Sequence, residues 1–461
     1  MKTGTPPVIF LLLFLLLNLP GFAQLQPVYS FQKDDTVLRK KYYEQALQKK
    51  KDLLQSMGKE NAKDYKEIYE DQYKQIGLFL QSTRTVTAPE PDKYLQSIVQ
   101  KIIAANDELK GLDMRVVFSR DWWPNAYSMG EGTISINAGL MIFLDNEAEL
   151  VFVLCHELSH YYLNHSTKAI KKYVETINSD AYQKELKRLS KQEFNVNRQL
   201  EKLVRSIAFD SRRHSRENEA EADRQAFTFM KRTGYDCGAI KTSLSVLDVI
   251  DDSLIYQPAV PGQVFNFAES PFKTKWIAKE SAIFSQLNEN DSPLTKKERD
   301  SLKSHPDCAI RILLLEDSIA KTPATGQRFL IDENEFRLLK KQFFVEMTEE
   351  CYREDNLGRN LYYSLMLLQA KENIPMAVYS IARCLNGIYE SQKAHRLGTM
   401  IDTENKKYRE EYNLLLRMLN RLRLDEIAEL NYYFCRSYQS QMQGYAGFEE
   451  EMSKAKNRLN F

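Results

Sequence analysis

The chain has no excess charge of either sign: 64 Lys and Arg stand against 63 Asp and Glu in 461 residues. That balance removes the basic footprint that would draw the protein onto nucleic acid or an anionic membrane, so no nucleic-acid partner is expected. Cysteine is scarce. Its six residues (155, 237, 308, 351, 384 and 435) form no C-x-x-C pair, which excludes a disulfide scaffold. Cys237 and Cys308 each follow an aspartate and offer one pairing in an oxidising compartment, with two free thiols as the equal alternative. Beyond residue 24 no apolar stretch approaches the ~20 residues that a bilayer crossing takes, so the mature chain is expected to lack a transmembrane segment. Hydrophobic residues at 43% and charged residues at 28% leave no room for wholesale disorder or a fibrous architecture. Histidine is also rare, six in all, so the placement of each one is informative.

The single long apolar run stands at the start: Lys2, then Val8 to Leu17, then Pro20-Gly21 and Phe22-Ala23 before Gln24. Its order and shortness read as a secretory signal peptide cleaved after Ala23, which implies a periplasmic or secreted address. Residues 34–81 read as exposed helices, and Tyr94 to Ile103 as an amphipathic helix entered through Pro89 and Pro91. Met114–Ser119 and Thr133–Asn137 read as two strands. Residues 165–211 read as a solvated helical insertion, and residues 249–304, with Pro258, Pro261, Pro271 and Pro293, as an irregular covering segment. From Phe336 onward the pattern is helical, with Ala370, Ala377 and Ala382 near expected crossings, which suggests a tetratricopeptide-like array.

The chemistry concentrates in two segments. Leu150 to Leu163 reads as an apolar helix that starts at Asn146 with Glu149 completing a capping box. Within it His156 and His160 are one turn apart, so both imidazoles face the same way and can share one metal ion. Glu157, one residue along, is placed to take a proton from a water at that metal. A catalytic zinc site needs a third protein ligand. The positions where other H-E-x-x-H enzymes supply it hold Leu163 and Ser166, or Ser179 and Asp180, and His165 reads as a surface residue. Further on, Glu219 and Asp223 lie i, i+4 on a helix, two carboxylates on one face, one to bind metal and one to orient a ligand histidine. Alone, such a pair reads as a solvated acidic face; after H-E-x-x-H it does not.

Asn146 to His160, followed by S-R-x-x-E-x-E-A-D-x-x-A at Ser215 to Ala226, resembles the zinc metallopeptidase family that includes HtpX, LoiP, BepA and the CAAX prenyl endopeptidases. Asn125-Ala126-Tyr127 before residues 132–140, and Ser304-His305-Pro306 with Arg311-Ile312, extend the resemblance over residues 94–314. It implies one zinc per chain on His156, His160 and Glu219, Glu157 as general base, and Asp223 behind the ligands. It also implies an extended substrate along an edge strand, with Asn125, Ala126, Ile134 and Ile136 as contacts. The BepA-like architecture adds His305 as a residue that approaches the zinc as a gate, beside an oxyanion role or a plain helix start.

The expected fold is α+β and mainly helical: a gluzincin-type metallopeptidase domain, then an α-helical tetratricopeptide-like region. The expected divisions are 1–23 signal peptide, 24–90 N-terminal helical segment, 91–330 metallopeptidase domain and 331–461 helical repeat-like domain. The expected activity is zinc-dependent endopeptidase on unfolded or misassembled envelope proteins, with the helical array recruiting a protein partner. Rival readings are a chaperone or binding protein built on the helical array, and a broad secreted scavenging protease.

Overall fold

The computed structural model describes residues 33–190, 216–249, 257–279, 308–322, 325–405 and 408–459. The leader-like start, Ser215 and the Ser304-His305-Pro306 run, with the gate assigned to His305, lie outside the described residues.

Helix α1 (Thr36–Ser56) is capped by the Asp35 carboxylate and packs on α2 (Ala62–Gln81). The exposed reading holds for α1, but α2 buries Tyr69, Tyr73, Ile76 and Leu80 in a small core with Ala46. In α3 (Pro89–Ala105) both prolines sit inside the first turn, where a missing N–H leaves no bond unmade. Its Leu95, Ile98, Val99 and Ile102 form the apolar stripe that faces the sheet.

The sheet has four strands, β1 (Thr85–Val86), β2 (Arg115–Ser119), β3 (Ala126–Ser128) and β4 (Thr133–Asn137), in the order β1-β2-β4-β3. Two strands were expected; the other two are two and three residues long, too short for an alternating pattern to register. The order also overturns the edge assignment. Strand β4 is bonded to β2 on one side and β3 on the other, and Ile134 and Ile136 are fully buried, so neither offers a free backbone edge to substrate. That edge belongs to β3, which carries Ala126 and follows Asn125. The β3–β4 turn is held by Gly130 and Gly132 at positive φ, and a Cβ on Gly130 would collide with the Ser166 hydroxyl.

Past the short helix α4 (Ala138–Met141), helix α5 (Glu147–Tyr162) is buried from Glu147 through Ser159 on every side, as its apolar run Leu150–Cys155 favours. Asn146 caps it by accepting from the Glu149 N–H, and the Glu149 carboxylate reaches back to the N–H of Asp145, one residue earlier than a standard capping box. Buried Glu147 accepts from the hydroxyls of Tyr94 and Tyr235 and from the N–H groups of Leu330, Ile331 and Asp332. This one carboxylate ties the start of the helix to the segment that leads into the C-terminal helices.

Helices α6 (His165–Asn178) and α7 (Asp180–Ser190) fill the described part of the polar insertion. Next come α8 (residues 216–231), α9 (Ala239–Val249) and α10 (Cys308–Ala320). The C-terminal helices are α11 (Glu333–Arg353), α12 (Leu357–Ala370), α13 (Ile374–Lys393), α14 (Glu410–Arg421), α15 (Leu424–Tyr438) and α16 (Ala446–Asn457). Helix α13 packs against α12, α15 and α16. A single hydrophobic core runs from Val86 to Phe448, and Phe118 of β2 meets Phe343 of α11 edge-on at 4.8 Å. Residues 257–279, part of the expected covering segment, lie on this array: Ala259 N–H donates to Leu365 O, and Lys273 pairs with Glu426 at 2.8 Å. All six cysteines are buried free thiols, Cys237 and Cys308 included.

Candidate metal centre

The site is assembled from α5, α8 and α10. On α8 the residues Glu219, Ala222, Asp223, Ala226 and Met230 recur at three- and four-residue spacing, and all are buried. Below the acidic pair, Phe229 anchors the helix: its ring packs edge-on against Tyr162 of α5, and its carbonyl accepts from Asn106. Glu219 and Asp223 are thereby turned toward His156 and His160.

The Nε2 atoms of His156 and His160 lie 3.0 Å apart. Glu219 closes the triangle, with its carboxylate oxygens 3.4 Å from His156 Nε2 and 3.3 Å from His160 Nε2. Ligand atoms bound tetrahedrally to zinc at ~2.1 Å stand about 3.4 Å from one another, so the three donors are spaced as one face of such a tetrahedron. Two imidazole nitrogens and a carboxylate oxygen are also the donor types zinc takes. The residues present fit that ion. Glu157 follows His156 on the same helix and is equally buried.

Behind the triangle, Asp223 Oδ1 is 3.0 Å from His156 Nδ1, the position from which a carboxylate fixes the tautomer that leaves Nε2 free. Arg311, from α10, grips Asp223 with two bonds of 2.7 Å, Nε to Oδ2 and Nη2 to Oδ1, and stands 3.2 Å from Glu219. It is 3% exposed. Burial alone would push the Asp223 carboxyl up, yet Arg311 and His156 outweigh it and hold Asp223 at about 2. His156 shows the opposite balance: burial and Arg311 pull it down, while Asp223 and Glu219 win and raise it to about 9 in the metal-free protein.

The structure thus gathers His156, Glu157, His160, Glu219 and Asp223, all read from sequence. Of the expected substrate contacts, Asn125 and Ala126 lie at β3, which among the described residues is an outer strand and packs beside α5, whereas Ile134 and Ile136 do not. Two further participants are not marked by local pattern. Arg311 stands in a run that carries the family resemblance, and nothing local marks it as a partner of Asp223. His165 is no surface residue: it is 4% exposed, and its Nδ1 is 2.9 Å from His160 Nδ1. The available signal was Asn164, a residue that tolerates the left-handed turn (φ 56°) which folds His165 back onto α5.

Two histidines one turn apart on a buried helix, a glutamate from a second helix and a glutamate beside the first ligand define a metallopeptidase centre. The chain belongs to peptidase family M48, whose model matches residues 89–319, about half of its length. That family consists of zinc metallopeptidases. No curated protein matches the chain. Among the described residues no helix is long and apolar enough to cross a membrane.

Proposed function

We propose that the protein is an exported zinc endopeptidase that holds its metal on His156, His160 and Glu219 and acts on unfolded or misassembled envelope proteins. The observation that carries the reading is the triangle of donor atoms, all within 4.8 Å of one another, with Glu157 alongside. Zinc in that position supplies Lewis acidity and makes water nucleophilic near neutral pH. Glu157 takes the proton from the attacking water and returns it to the leaving amine. Asp223 keeps His156 in the ligating tautomer, and Arg311 keeps Asp223 ionised and in place.

Substrate would add as a further strand on β3. Three features favour this: β3 is the outer strand, it packs beside α5, and the Asn125 side-chain oxygen at its start is buried with no partner among the described residues. Backbone pairing of that kind reads an extended chain more than a particular sequence, which suits unfolded targets. The C-terminal helices, tetratricopeptide-like in this proposal, would recruit a protein partner.

The test uses the full chain. Glu157→Gln is expected to keep zinc and lose about 10²–10⁴-fold in turnover of an unfolded polypeptide, while His156→Ala loses the metal as well. Near wild-type turnover by Glu157→Gln would remove the assigned base. Trapping with the same variant in the native host separates the roles: bound envelope proteins support quality control, and indiscriminate capture supports scavenging.

A further inference from the structure

The two metal-facing histidines are supported differently. His156 has Asp223 directly behind it; His160 has another histidine. His165, the first residue of α6, turns its Nδ1 to within 2.9 Å of His160 Nδ1, and the two rings meet edge-on with centroids 4.9 Å apart. The other nitrogen of His165, Nε2, is 3.2 Å from a carboxylate oxygen of Glu221, two residues beyond Glu219 on α8. We infer that Glu221 and His165 form a relay that holds His160 in the tautomer whose Nε2 is bare, making His165 a positioning residue for the metal.

Proton count fixes both tautomers. Two ring nitrogens at hydrogen-bonding distance that do not share a metal ion share one proton: if both carried one they would repel, and if neither did there would be no bond. A carboxylate only accepts, so the Glu221 contact puts a proton on His165 Nε2. Neutral His165 then has a bare Nδ1, which accepts from His160 Nδ1–H. His160 Nε2, facing Glu219 and His156, is left with its lone pair for the metal. The reverse assignment would place a proton on His160 Nε2 and spoil the donor triangle. Glu221 thus does through His165 what Asp223 does for His156 in one step, and α8 supplies a carboxylate to the support of each ligand histidine.

This inference rests on the proposed metal site, and the experiment separates the two. Zinc affinity of the full-length chain is measured by competition with a chromogenic chelator, beside the melting temperature of the metal-free protein. His165→Leu is expected to weaken zinc binding about 10–100-fold, the usual cost of removing a partner behind a ligand histidine. His165→Asn, whose side-chain oxygen falls near the original Nδ1, is expected to recover most of that loss. Zinc binding by His165→Leu within about twofold of wild type, or no recovery with Asn, would overturn the relay. Should His165→Leu fail to fold, Glu221→Leu carries the test from a half-exposed position: a several-fold loss of affinity at unchanged melting supports the relay, and unchanged affinity refutes it. A wild-type chain that takes up no zinc would sink the metal site itself, and the positioning role with it.

Discussion

Around the metal centre, the carboxyl groups of Glu157, Glu219 and Asp223 are buried together with His156 and Arg311. In the C-terminal helices buried carboxyl groups meet cations from other elements, Glu349 with Arg383 and Glu426 with the exposed Lys273, and neutral groups satisfy one another, as where Ser364 donates to Ser380 and Ser380 to Asn360. The difference separates structure from function. A buried pair can simply hold helices together, whereas carboxyl groups crowded into one buried cluster are costly unless cations join them. In this molecule the crowding falls where three donor atoms are spaced for zinc.

The largest expected effect breaks the balance further. Arg311→Leu strands Asp223 beside Glu219, and losing one partner of a buried pair costs about 3–5 kcal/mol. Denaturant titration of the metal-free protein should show that loss, and saturating zinc should recover part of it by supplying positive charge. A change below about 1 kcal/mol in the metal-free form would mean that the crowded carboxyl groups do not weigh on folding.

On the other side of the comparison, Leu385→Ala in the fully buried middle of α13 should cost about 2–5 kcal/mol through lost packing. Zinc affinity of the folded fraction should stay unchanged. If affinity falls with stability, the continuous core transmits packing in α13 to the site, and the contrast between the halves weakens.

The gentlest probe is pH. His156 is raised from 6.5 to about 9 in the metal-free protein, because Asp223 and Glu219 outweigh burial and Arg311. A raised histidine contributes stability that is complete below the unfolded value and is lost as pH climbs through the folded one. Metal-free stability should therefore decline between pH 6.5 and 9, by at most about 1.4 kcal/mol per pH unit. Zinc-loaded protein, whose His156 holds no second proton, should lack this decline. Melting temperatures of both forms across that range decide it.

How far the site can be read from sequence follows from how far each contact reaches along the chain. His156, Glu157 and His160 share one helix, and Glu219 and Asp223 share another, so the 3.6-residue period places each set on a face. The C-terminal helices were legible for the same reason, down to their Leu and Ala spacing. Strand order was not. The sequence of β4 looks like that of any half-buried strand, and only pairing with both β2 and β3 makes it internal.

Local pattern alone therefore placed His156, Glu157 and His160 on one helix and Glu219 and Asp223 on one face of another, since a helix fixes the direction of residues four apart wherever it packs. Tertiary structure decided which strand is left with an open edge and which groups stand behind the ligands. His165 returns to His160 only through the left-handed turn at Asn164, and Arg311 reaches Asp223 across 88 positions of chain. Contacts of that kind come from packing α6, α8 and α10 around α5, and periodicity carries no information about which helix will lie beside which.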